Sequence, residues 1–200
     1  MPDQIAPRNT AQKNTESTQA ITLQRSPALA GWRLANEHVM MEAAPPASRI
    51  SLRAGETGAN AFEASLGLKL PRAPHTSASR GSRHALWLGP DEWLVFDERN
   101  PETSMVPRLG SAHFAATDIS HRNVAFITSG PRAKETLAVA SPRDLRDPAF
   151  PVGACSRTIF GKAEIVLYRI SEDAYRIECW RSFGPYMKTL LTEAAKDAGL

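Results

Sequence analysis

The run Asp118-Ile119-Ser120-His121-Arg122 places the three residue types of a hydrolase triad side by side, and no other run in the chain suggests nucleophilic catalysis as directly. Triads draw their members from separate elements so that acid, base and nucleophile can converge; neighbours within one turn bond to the turn itself. The run therefore reads as a polar turn between strands. Cys155-Ser156-Arg157-Thr158 raises the option of a thiol activated by Arg157, against the commoner state of a buried, inert strand-end cysteine. His38, His75, His84, His113 and His121 are scattered with no pair at i, i+3 or i+4, which excludes a helical metal pair. No G-x-G-x-x-G, Walker loop or H-E-x-x-H occurs. The residues thus assign no catalytic, cofactor-binding or metal-ligating position.

The elements that would hold these residues are best defined around Leu86-Trp87-Leu88-Gly89-Pro90-Asp91-Glu92-Trp93-Leu94-Val95-Phe96-Asp97. Pro90 and Asp91 suit the two central positions of a turn, and apolar residues of both parities flank it. Such a hairpin has no wet face and belongs inside a layered sheet. Before it, Ser48–Arg53 alternates as a half-buried strand, and Ala59–Leu66 reads as a short helix closed by Gly67. Arg72–His84 reads as a loop carrying Arg72, Arg80, Arg83, His75 and His84 with no acidic residue, a composition suited to solvent or to an acidic partner.

After the hairpin come a helix around Thr103–Gly110, a strand His113–Ile119, and the continuous apolar strand Val124–Thr128. Pro131 is placed at the first position of the next helix, where its missing N–H costs nothing. Ser156–Phe160, Glu164–Ile170 and Tyr175–Trp180 read as antiparallel strands. Ser182 then caps a final helix, whose Phe183, Tyr186, Met187, Leu190, Leu191 and Ala194 recur at intervals of three and four. The hairpins at Ala85–Asp97 and Glu164–Trp180 occupy matching places, so the expected fold is α+β, with two split β-α-β-like units sharing one core.

Residues 1–28 are rich in Gln, Asn, Thr and Ser and form an expected N-terminal arm, leaving 29–200 as one domain. Of the 200 residues, 42% are apolar, enough for a substantial core. The net charge of +3 is mild, and basic residues are not interleaved with aromatics, so neither nucleic acid nor a membrane is an expected partner. Two cysteines, no signal-like start and no long apolar segment point to a soluble, cytoplasmic chain with reduced thiols.

Together, the Trp87–Leu94 hairpin, Asp118-x-Ser120-His121, Gly130-Pro131, Asp144-Leu145 with Phe150, Cys155-x-Arg157-Thr158 and Arg181-Ser182-Phe183 resemble the gamma subunit family of heterotetrameric sarcosine oxidase. The resemblance runs from about Ile50 to the C-terminus. It implies an assembly that oxidises the N-methyl group of sarcosine, giving glycine, hydrogen peroxide and 5,10-methylenetetrahydrofolate. It further implies that FAD, FMN, NAD and zinc reside in the alpha, beta and delta subunits and none in this chain. The chain would then be noncatalytic and would buttress chiefly the large alpha subunit, with Arg72, Arg80 and Arg83 near the rim of the contact. The implied fold is similar to the folate-binding domain of the glycine-cleavage aminomethyltransferase. That similarity supplies the alternative, a free-standing folate-binding protein in which Asp118 meets the folate amine.

Overall fold

The computed structural model describes residues 29–100, 105–106 and 113–198. The expected arm over 1–28 lies outside the described residues, as does the expected helix around 103–110 apart from Met105 and Val106. The strands are β1 (Arg33–Ala35), β2 (Met40–Ala43), β3 (Ser48–Ala54), β4 (Ser77–Arg80), β5 (Arg83–Gly89), β6 (Glu92–Asp97), β7 (Phe114–Asp118), β8 (Asn123–Ser129), β9 (Cys155–Phe160), β10 (Ala163–Ser171) and β11 (Ala174–Trp180). The helices are α1 (Glu56–Leu66), α2 (Ala133–Ala138) and α3 (Gly184–Ala198). One sheet has the order β1-β2-β8-β11-β10-β9 and the other β4-β5-β6-β3-β7, with antiparallel ladders.

The two parities of the tryptophan hairpin serve two different cores. On β6, Trp93 and Val95 pack with Ile50, Leu52 and the α1 residue Phe62, whereas Leu94 and Phe96 pack with Leu86, Ile119, Cys155 and Tyr168 across the gap to the second sheet. All six β6 residues are buried as a result. The far face of the six-stranded sheet carries Tyr175, Ile177 and Cys179 against Met187, Leu191 and Ala194 of α3. The layers therefore run helix, sheet, sheet, helix, an α+β architecture.

The duplication is real and interlocked. β3-α1-β4-β5-β6 folds with the strand order 4-5-6-3, and β8-α2-β9-β10-β11 repeats it as 9-10-11-8. The strand preceding each unit crosses to the other unit's sheet: β2 pairs with β8, and β7 pairs with β3. Neither half can close its sheet without the other.

Three local expectations need correction, and one stretch that carried none adds two strands. The stretch read as a loop over Arg72–His84 contains β4, whose polar Ser-Ala-Ser-Arg sequence lacks apolar alternation but pairs with β5 at the sheet edge. The residues before Ser48, left unassigned from the sequence, supply β1 and β2. Pro131 precedes the helix, because Gly130 at φ 118 accepts from the Ala133 amide and closes a turn first; Arg132 is the N-cap. Ser182 lies inside a 3-10 turn, Arg181–Phe183, and the first α3 amide, Gly184, donates to the Arg181 carbonyl.

Trp93 is 1% exposed, donates Nε1–H to the Pro71 carbonyl at 2.8 Å and lies beneath the Arg72 guanidinium at 5.3 Å. Trp93→Ala is expected to cost about 3–5 kcal/mol, the range for deleting a large buried aromatic. Urea unfolding of the pure variant measures it, and a loss below about 1 kcal/mol would mean that the site collapses around the gap.

Candidate functional site

The Asp118–Arg122 run is the link by which the chain passes from one sheet to the other. Asp118 accepts from the Ser120 amide at 2.9 Å, and the Arg122 and Asn123 amides donate to the Ile119 carbonyl at 3.0 and 3.1 Å. Ser120 Oγ in turn accepts from the Arg49 amide at 2.9 Å, standing in for a main-chain acceptor at the end of the β3 ladder. Arg122 lies 5.2 Å from the Trp180 ring, a cation–π contact across the crossover. Both serine and aspartate are thus engaged in turn and ladder bonds.

Arg157 does not reach the Cys155 thiol. Its guanidinium is spent on Glu92, while the Cys155 Sγ lies 3.2 Å from the Thr76 carbonyl. Burial pushes both thiols, Cys155 and Cys179, up to about 12. Two thiols held neutral in the core are poor nucleophiles. Among the described residues, no cluster of His, Cys, Asp and Glu could hold a metal ion.

The cleft between the sheets is where converging polar groups meet. It is lined by Ser51, Trp93, Arg122, Arg157, Glu164 and Glu178, among others, and has a volume of about 50 Å³. Pockets for small organic ligands begin near roughly 300 Å³. Of the two carboxylates that line this space, Glu178 is held by two arginines and Glu164 acts on Arg157 through charge alone; Glu92, next to Trp93 in the chain, is also held by two arginines. Glu92 pairs with Arg157 from β9 and with Arg53 from β3, the latter at 2.9 Å. The Arg157 bond, outweighing burial and joined by Arg53, lowers the Glu92 pKa. Glu178 is 1% exposed and accepts from Arg49 at 2.7 Å and from Arg176 at 2.8 Å. Burial alone would raise its pKa, but the two guanidinium groups lower it on balance.

Arg176 is itself buried, stacks over Phe96 at 4.4 Å and extends to Glu98 at 2.8 Å. The result is a charged chain, Arg49-Glu178-Arg176-Glu98, that runs from β3 through two residues of β11 to the residue after β6. Sequence reading passed over it. Arg176 and Glu178 share one parity of β11, a pattern that signals a solvated face unless a second sheet covers that face.

The arginines of the segment 72–84 lie at the surface and bond to groups of the same chain. Arg72 pairs with Glu63 at 3.0 Å, Arg83 with Asp97 at 3.1 Å, and Arg80 donates to the Gly67 carbonyl at 2.5 Å. For Arg72 and Arg83 the acids are supplied by α1 and by the end of β6, whereas Arg80 bonds a neutral carbonyl. Asp97 is the most heavily bonded of these acids. Burial would raise its carboxyl, but the Arg99 amide, the Ser82 hydroxyl, Arg83 and Asn100 together hold it at about 2.

The sequence profile of the sarcosine oxidase gamma subunit family matches residues 53–197. The chain is 32% identical over 155 residues to sarcosine oxidase subunit gamma of Corynebacterium sp. (strain U-96), covering 75% of this chain and 76% of that protein. It is 32% identical over 139 residues to the Arthrobacter sp. subunit gamma, covering 66% and 67% respectively. Its fold superposes on a chain of the heterotetrameric sarcosine oxidase from Corynebacterium sp. U-96, solved with pyrrole 2-carboxylate. The TM-score is 0.79 at 29% identity, over 90% of this chain and 98% of that one. The glycine cleavage system aminomethyltransferase T of Bartonella henselae shares the fold alone, with a TM-score of 0.60 at 11% identity over 77% of this chain and 45% of that one.

Two consequences of the charge pattern are measurable. Glu178→Gln strands Arg49 and Arg176 without their counter-charge and should cost about 3–5 kcal/mol in urea unfolding, whereas a loss under 1 kcal/mol would show that water reaches the pair. Asp97, lowered to about 2 in the folded chain, contributes stability that is complete above its unfolded value near 4 and is lost as the pH falls through 2. The contribution is roughly 2 kcal/mol, and unfolding of Asp97→Asn followed from pH 6 to 2 should lack that acid-side decline.

Proposed function

The chain belongs to the sarcosine oxidase gamma subunit family, and from that premise we propose that it is a noncatalytic subunit of a heterotetrameric sarcosine oxidase in the cytoplasm, where it buttresses the large alpha subunit. The whole assembly carries out the oxidative demethylation: sarcosine is converted to glycine, oxygen to hydrogen peroxide, and the one-carbon unit passes to tetrahydrofolate. FAD, FMN, NAD and zinc belong to the alpha, beta and delta subunits in this reading. The observation that carries it is the superposition over 98% of a chain of the solved heterotetramer, with little of that chain left unmatched.

The filled cleft supports the noncatalytic half of the proposal. A cleft of about 50 Å³ is far smaller than the roughly 300 Å³ at which small-ligand pockets begin, and Glu178, which lines it, and Glu92, which bonds its Arg157, are both held by arginines. The likeness to aminomethyltransferase T favours the free-standing folate-binding alternative at the level of fold only, and the chain spans less than half of that protein. Asp118, the residue that would meet the folate amine, is instead bonded to the Ser120 amide.

Coexpression with the alpha, beta and delta subunits, followed by gel filtration and an activity assay, tests the proposal. The chain should co-elute with the oxidase, bury on the order of 2,000 Å² in its contact with the large subunit, and be colourless when purified alone. Elution as a separate monomer in the presence of all three would contradict it. His121→Ala in the assembled enzyme should leave turnover within about twofold of the parent, since the noncatalytic reading gives that turn no contact with reacting atoms; a hundredfold loss with assembly intact would restore a catalytic role.

A further inference from the structure

The interlocked repeat leaves one strand position unmatched. In the six-stranded sheet, β2 lies beside β8, and β1 lies beyond it, pairing antiparallel through Arg33↔Glu42, Leu34↔Met41 and Ala35↔Met40. In the five-stranded sheet, β7 occupies the place of β2 beside β3, and among the described residues no strand lies beyond it. We propose that this outer edge of β7 receives an extended segment of another subunit, which completes the sheet as β1 completes its counterpart.

The ladder phase shows which groups the edge offers. The Ile119 amide donates to the Arg49 carbonyl, and the Ala54 amide donates to Asp91 on the β6 side. Antiparallel bonding alternates along a strand, so Ser51 and Arg53 bond to Thr117 and Ala115, while Phe114 and Ala116 turn their N–H and C=O outward. The register between β3 and β7 is continuous, with no bulge. Phe-Ala-Ala-Thr-Asp also contains no Lys, Arg or Pro, the usual guards of an edge strand. Phe114 and Ala116 are half-buried against the α1-side core, and Phe114 meets Phe62 edge-on at 6.3 Å. An apolar side chain on the incoming strand would complete that cluster, as Leu34 does against Met41 in the other sheet.

The occupant is accordingly a short extended segment, antiparallel to β7, with an apolar residue between polar ones. A second copy of this chain pairing β7 to β7 would join five residues on each side, far less contact than the roughly 1,000 Å² a stable dimer needs. A strand from a larger partner brings the rest of its interface with it. The inference rests on the subunit reading above.

Hydrogen exchange of the purified chain and of the coexpressed complex, resolved to single amides, tests it. The Phe114 and Ala116 amides should exchange freely in the isolated chain and slow by about a hundredfold or more in the complex, with Ala115 and Thr117 slow in both. A complex in which Phe114 and Ala116 stay fast overturns the strand addition and leaves the subunit reading standing; protection already present in the isolated chain overturns it as well. Failure to form any complex overturns both. Ala116→Pro removes only an outward donor, so it should keep the parent melting temperature while weakening assembly more than about tenfold. Parent-like assembly of a folded A116P chain contradicts the proposal, and if that variant misfolds, exchange in the unmodified chain decides.

Discussion

Glu178 lies where the two sheets press together, 1% exposed, with Arg49 from one sheet and Arg176 from its own strand closing on its two oxygens. Three charges with almost no water must satisfy one another, and any sliding of the sheets would leave at least one of them buried alone. Such an orphan costs several kcal/mol, whereas the paired set is worth little relative to an apolar core of the same shape. The bridge therefore acts mainly on geometry: it admits one relative placement of the sheets. Phe96 beneath Arg176 and Ser120 on the Arg49 amide extend the same constraint to the hairpin and to the crossover turn.

That constraint bears on function. The bridge lines the polar cleft between the sheets, where groups from both repeats converge, and Arg157 of the same cleft is paired with Glu92. Within the cleft Glu178 is bonded to Arg49 and Arg176, and Arg122 is stacked on Trp180. The reciprocal exchange of β2 and β7 then ties the two repeats together, each completing the other's sheet.

Much of this was legible from residue order. Apolar residues on both parities of Trp87–Phe96 required two covered faces, and both are covered. The side-by-side Asp118, Ser120 and His121 argued for a turn, and Asp118 and Ser120 make turn bonds. The missed features have physical reasons. β4 is four polar-to-small residues whose pairing comes from β5 rather than from any pattern of their own. β1 and β2 are three and four residues long; β1 pairs with β2, and β2 with β8, more than eighty positions away in the chain. The buried Arg176 and Glu178 look like a solvated face because parity tells which residues share a side, not what lies over that side.

The central claim, that the inter-sheet cleft is closed by the chain's own charges and binds no folate, is tested most directly by titrating tetrahydrofolate into the isolated chain in a calorimeter. The account predicts no saturable heat up to millimolar ligand. Saturable one-to-one binding at micromolar concentration, abolished by Asp118→Asn or Arg157→Ala in a chain that still melts like the parent, would contradict it.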